Sequence, residues 1–217
     1  MRNKLTLLTC VLSIFLSTNI NAQTKDSIEL KAYVEKDTKD SSSIFYYPKL
    51  VEKVKNNPSQ LSVEDCFYLY YGQIFQKGHQ VLSFIANPER LDFDKAVMKG
   101  NCKKALELGT KILERNPLDL TVLLHVCNCI REKGLPDNNY FELRFKNTLT
   151  AIFSTGDGSS MKNAIRIVSA EDDYVLKGVL GFFGGEEKMG FENNHAYSIW
   201  EKDSRKLYFE DVMNVEK

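Results

Sequence analysis

Apolar positions recur three and four apart through most of the first 150 residues. Only near the C-terminus do they alternate in twos, so the chain predicts helices first and a small sheet last. Tyr47 to Asn56 predicts a short helix stopped by Pro58. Ser62 then offers a cap, Glu64 and Asp65 fill a first turn, and an aromatic-rich helical body runs to Phe75. Phe67, Tyr71, Ile74 and Phe75 share one face, with Tyr68 and Tyr70 flanking it. A stripe of this kind is in the main reading the buried side of a helix. Any of Tyr68, Tyr70 and Tyr71 left exposed would form the candidate binding surface, because tyrosine joins an apolar ring to a polar tip.

The stretch from Gly100 to Leu120, "GNCKKALELGTKILERNPLDL", has Gly at a helix–helix turn, Ala105 five residues on, and Pro117 after the second helix. Gly134 follows Gly100 by 34 residues, at the corresponding turn. This spacing resembles a tetratricopeptide repeat, well over one unit and partly over a second, in which Cys127 stands where a small residue is needed and Asn139 replaces the expected alanine. Leu106, Leu113, Leu123, Leu124 and Val126 are expected to fill the seam. Two imperfect units rarely stand alone, so the aromatic helix is expected to pack against them.

After Phe153 the pattern changes. Asn163 to Ser169 predicts a strand, and Ala170 to Phe182 a helix with Glu171, Asp172 and Asp173 in its first turn. Gly184-Gly185 predicts a flexible link. His195–Glu201 and Lys206–Val212, separated by Lys202-Asp203-Ser204-Arg205, predict an antiparallel hairpin with Trp200 and Phe209 on the covered side. The expected fold class is α+β: tetratricopeptide-like helix pairs packed with a small C-terminal antiparallel or mixed sheet plus one helix. Residues 44–217 are expected to form a single domain, with a helical part (44–154) and a strand–helix–hairpin part (155–217). Residues 23–43, polar and ending in Ser41-Ser42-Ser43, are expected to be a flexible arm.

The N-terminus supplies an address. Arg2 and Lys4 precede an apolar run from Leu5 to Leu16, too short to span a bilayer, and Ala22 ends a cleavable stretch. Residues 1–22 thus predict a signal peptide, with an exported chain starting at Gln23. The whole sequence carries 29 basic and 29 acidic residues. Losing Arg2 and Lys4 leaves about −2, which gives no electrostatic case for a nucleic-acid partner.

Candidate chemistry is sparse. The turn Gly156-Asp157-Gly158-Ser159-Ser160 invites comparison with a phosphate loop, yet it runs from helix to strand and lacks the lysine such loops need. Asp157 is its only charge, too few for a calcium loop, so the turn reads as a structural corner. His79, His125 and His195 have no His or Cys partner at metal-ligand spacing. Asp172-Asp173 and Glu186-Glu187 read as solvated caps rather than an acid–base couple. Cys66, Cys102, Cys127 and Cys129 remain after export. They are expected to be free buried thiols, with a link from Cys102 to Cys127 or Cys129 left open. No catalytic residue, cofactor or metal is expected.

The stretches "LSVEDCFYLYYGQIF", "TGDGSSMKNAIRIVSAEDDYVL" and "KLYFEDV" together resemble the domain-of-unknown-function family 4919, uncharacterised secreted proteins of Bacteroidetes, over roughly Tyr47 to Val212. The resemblance implies export in a Gram-negative bacterium, to the periplasm or cell surface, and carries over no catalytic residues. The first functional expectation is a non-catalytic module binding an envelope protein or peptide. The second is a hydrolase-type enzyme gathering Asp157, His195 and Glu210 at the sheet edge.

Overall fold

The computed structural model describes residues 27–76 and 88–214; the expected signal peptide and His79 lie outside the described residues. Eight α-helices and four strands are described, in α+β order: α1 (Ser27–Lys39), α2 (Tyr47–Asn56), α3 (Val63–Gly72), α4 (Pro88–Met98), α5 (Cys102–Arg115), α6 (Leu120–Lys133), α7 (Phe141–Phe153), β1 (Ile165–Ile167), α8 (Asp172–Val179), β2 (Glu186–Glu192), β3 (His195–Lys202) and β4 (Arg205–Asp211). The strand order is β1-β4-β3-β2. β1 runs parallel to β4, while the other two pairs are antiparallel, so the sheet is mixed.

The expected arm is corrected. Ser27–Lys39 form a helix whose Ser27, Leu30, Val34 and Thr38 are buried, a stripe at three- and four-residue steps. Only two strong hydrophobes mark that stripe among charges, which is why it read as loose. The helix is fixed by tertiary contacts: Tyr68 donates its hydroxyl to Asp37 at 2.9 Å, and the Tyr33 ring lies 5.8 Å from the Tyr68 ring. Burial against α3, not intrinsic propensity, orders it.

α3 begins as its sequence dictates. Ser62 accepts from the Asp65 N–H, and the Asp65 carboxylate accepts from the Ser62 N–H, a reciprocal box that satisfies two end donors. The helices α4 to α7 pack successively on one another. A Cβ on Gly109 would meet Val126 at 2.6 Å and Phe93 at 3.0 Å, so glycine lets α5 lie close to α4 and α6. Two clusters of buried side chains result. One joins α1, α2, α3, α7 and the sheet; the other fills the α4–α6 layer and the start of α7. Phe145 packs against both.

The sheet departs from expectation at its edge. Glu186–Glu192 form β2, joined to β3 through Asn193 and Asn194, both at positive φ (50° and 66°), as a two-residue hairpin turn requires. The acidic pair Glu186-Glu187 therefore begins an edge strand. Met189 and Phe191 are both exposed, so burial imposes no alternation on that strand. The β3–β4 turn is the two residues Asp203-Ser204, with Lys202 opposite Arg205. Phe209 is buried and Trp200 partly covered.

Candidate functional site

A cleft of about 420 Å³ opens where α2, the C-terminal end of α5 and the start of α7 converge. Prolines make the gap. Pro58 follows the end of α2 and Pro117 follows the end of α5, so neither helix extends to close it. Its apolar walls are Val51, Val54, Pro58, Leu113, Pro117 and Phe141; Lys55, Thr110, Glu114 and Asn139 supply polar lining. It lies at the seam of the two cores, with Val54 in one and Leu113 and Phe141 in the other. Its surface is about evenly apolar and polar, and its volume falls in the range of small-ligand sites.

Arg144 completes the lining. It sits on the buried face of α7 with Phe141 and Thr148 and is 4% exposed. Its Nη1 donates to the Pro117 carbonyl at 3.5 Å, a long bond, and its Nε has no hydrogen-bond partner. The guanidinium stacks over the Phe141 ring at 4.7 Å. Burial pushes it down to about 10, with Asp137 countering only in part. The Asp137 carboxylate is committed elsewhere, accepting the Phe141 and Glu142 N–H groups that start α7, at 2.9 and 2.8 Å. Sequence reasoning passed over Arg144. The available signal was a cation between Leu143 and Phe145, three residues on from Phe141 and so on its face of the helix, a place where charge is seldom buried without a partner.

Among the described residues, two other arginines are buried, and both are paired. Arg90, 4% exposed, meets Asp119 at 2.6 Å and Asp94 and Glu171 at 3.3 Å. Arg166, 6% exposed, meets Glu210 at 3.3 Å and donates to the Thr155 carbonyl at 2.6 Å.

Of the expected sheet-edge cluster, the structure brings together His195 and Glu210, with Nδ1 2.5 Å from Oε1. Ser27 also donates to Glu210 Oε1. A nucleophile–base pair needs the serine hydroxyl on the imidazole, whereas here both groups address one carboxylate that also faces Arg166. Asp157 instead accepts the Ser159 N–H at 2.9 Å within its own turn. The glycine corner is built by packing. Gly158 takes φ 73°, accepts from the Tyr208 N–H and donates to the Asn163 carbonyl, tying the α7–β1 connection to β4.

Tyr68, Tyr70 and Tyr71 are corrected as a binding surface: all three are buried. Their hydroxyls are used inside, Tyr71 donating to the Arg166 carbonyl at 2.8 Å and Tyr70 to Asp172 at 2.6 Å. Asp172 and Asp173 are likewise corrected, since both are buried. Asp173 accepts from Ser198 and the Trp200 indole, each at 2.9 Å. Burial raises both carboxyls, and most strongly Asp172.

A carboxyl raised in the folded state binds its proton more tightly there than in the unfolded chain. Its stabilising effect is complete below the unfolded value of about 4 and is lost as pH rises through the folded one. Asp172→Asn keeps an acceptor for Tyr70 and removes the charge. It is expected to leave stability near pH 4 within about 1 kcal/mol and to gain at pH 8, about 1.4 kcal/mol for each tenfold change in proton affinity. Urea denaturation across pH 4–8 measures this. Parallel curves for the variant and the parent would refute it.

Cys66, Cys102, Cys127 and Cys129 are free and buried. Burial pushes the Cys66 and Cys127 thiols up to about 12, far from a reactive thiolate. The Cys102 thiol donates to Glu132 Oε2 at 3.7 Å, so the link left open from Cys102 to Cys127 or Cys129 is absent.

Among the described residues, no group of three or more His, Cys, Asp or Glu side chains is placed to hold a metal ion, and no helix is long and apolar enough to cross a membrane. No curated protein and no solved structure matches the chain. The family model described as domain of unknown function (DUF4919) matches residues 32–214, which reach from α1 past the end of β4. On that match the chain belongs to the DUF4919 family.

Proposed function

We propose that this protein is a non-catalytic binding module of the bacterial envelope, exported by its N-terminal segment, whose cleft between α2, α5 and α7 holds a segment of another protein or a peptide. The observation that supports it is a cleft of mixed apolar and polar lining that includes a buried arginine with no ion-paired carboxylate among the described residues. The tetratricopeptide-like spacing around Gly100 and Gly134 supports the same reading, since stacked helix pairs present concave binding surfaces.

Filling the cleft tests it. Thr110 lines the cleft, is half-buried and belongs to neither core cluster, so Thr110→Trp places an indole in the cleft. Peptides selected on the parent protein are expected to lose at least tenfold in affinity for Thr110→Trp, with the melting temperature unchanged. Undiminished binding by the filled variant would move the site elsewhere.

A further inference from the structure

Among the described residues three arginines are buried to nearly the same degree, which makes the molecule its own control. Arg90 and Arg166 each meet a carboxylate of the chain, as a desolvated guanidinium requires. Arg144 does not: Nε lacks a partner, and the hydrogen bond from Nη1 is long. Isolated buried charge is costly and ordinarily neutralised or paired, and a guanidinium cannot readily shed its proton. What distinguishes Arg144 is its position, for it alone of the three lines the cleft.

We propose that Arg144 is the receptor for a carboxylate delivered from outside, the C-terminal carboxylate of a peptide whose last residue is apolar. The inference rests on the cleft being the binding site. A planar carboxylate matches the fork of guanidinium donors. Val54, Leu113 and Phe141 provide the surface against which an apolar terminal side chain loses water. Lys55 adds a second positive charge to the lining, and Asn139 an amide able to pair with peptide backbone. Glu114 in the same lining repels any anion, and a doubly charged phosphate more than a singly charged carboxylate.

The experiment is calorimetric titration of the whole exported chain with acetyl-Ala-Ala-Leu bearing a free carboxylate, with the same peptide as its C-terminal amide, with hexanoate, and with inorganic phosphate. The free acid is expected to bind at least tenfold more tightly than the amide. Arg144→Gln is expected to lose that difference, binding acid and amide alike. The acid–amide comparison on the parent protein needs no variant, and Lys55→Gln keeping the acid preference assigns it to Arg144 even if Arg144→Gln fails to fold, whereas its loss there would overturn Arg144 as the receptor. Hexanoate binding as tightly as the peptide acid would keep the carboxylate receptor but overturn the peptide as its source. Acid and amide binding equally would overturn the carboxylate while leaving the cleft as a peptide site. Tighter binding of phosphate would replace the carboxylate with another oxyanion. Silence from all four probes would overturn both the receptor and the cleft reading beneath it.

Discussion

Glu210→Ala is expected to destabilise the protein by about 3–5 kcal/mol, the range seen when one partner of a buried ion pair is removed. Glu210 is buried on β4, 3.3 Å from Arg166 on β1, and it accepts hydrogen bonds from Ser27 at the start of α1 and from His195 on β3. Removing it strands the Arg166 guanidinium without a counter-charge and loosens three elements at once. The mechanism separates from simple loss of packing through a second variant. Glu210→Leu combined with Arg166→Met removes both charges and keeps much of the volume, so it should cost less than the single alanine change. Guanidinium denaturation at neutral pH measures both. A single variant losing less than about 1 kcal/mol, or a double variant losing more than the single one, would show that the charge pair is not what holds this junction.

Gly156→Ala carries the second large effect, expected at about 3 kcal/mol or more. An added Cβ would lie 2.2 Å from the Ala164 carbonyl oxygen, 2.5 Å from that of Asn163 and 2.7 Å from the Ala164 carbonyl carbon. All three are backbone atoms of the segment entering β1, so no side chain can swing aside, and the corner itself must open. For a chain of this size the loss corresponds to a fall in melting temperature of about 6–12 °C. Gly134→Ala is the internal comparison. Gly134 has φ 60° with nothing near the added carbon, so alanine there meets backbone strain alone, of about 1 kcal/mol. Calorimetry that ranks the two glycines in the opposite order would refute the packing account of the corner.

Both predictions concern places that local sequence marked without explaining. The Gly156–Ser160 turn was legible as a corner, because glycines, an aspartate and serines between a helical and an extended pattern have a turn chemistry of their own. Why Gly156 must be glycine was not legible, since the obstructing carbonyls belong to the chain's return path. The α3 start at Ser62 was readable because a capping box closes within four residues. The β3–β4 hairpin was readable from its alternation and tight turn. β2 was not, because burial on neither face leaves a strand without a pattern.

By itself, then, the sequence determined the α+β order, the helix start at Ser62, the turn at Gly156 and the terminal hairpin, all set by neighbours a few residues apart. Tertiary structure decided which polar groups went inside. Tyr70 meets Asp172 across 102 residues and Ser27 meets Glu210 across 183, so those burials have no local signature. The same holds for the cleft and for Arg144 on its floor. A charge on a helix face is solvated or stranded according to what packs against that face, and the packing partners arrive from distant parts of the chain.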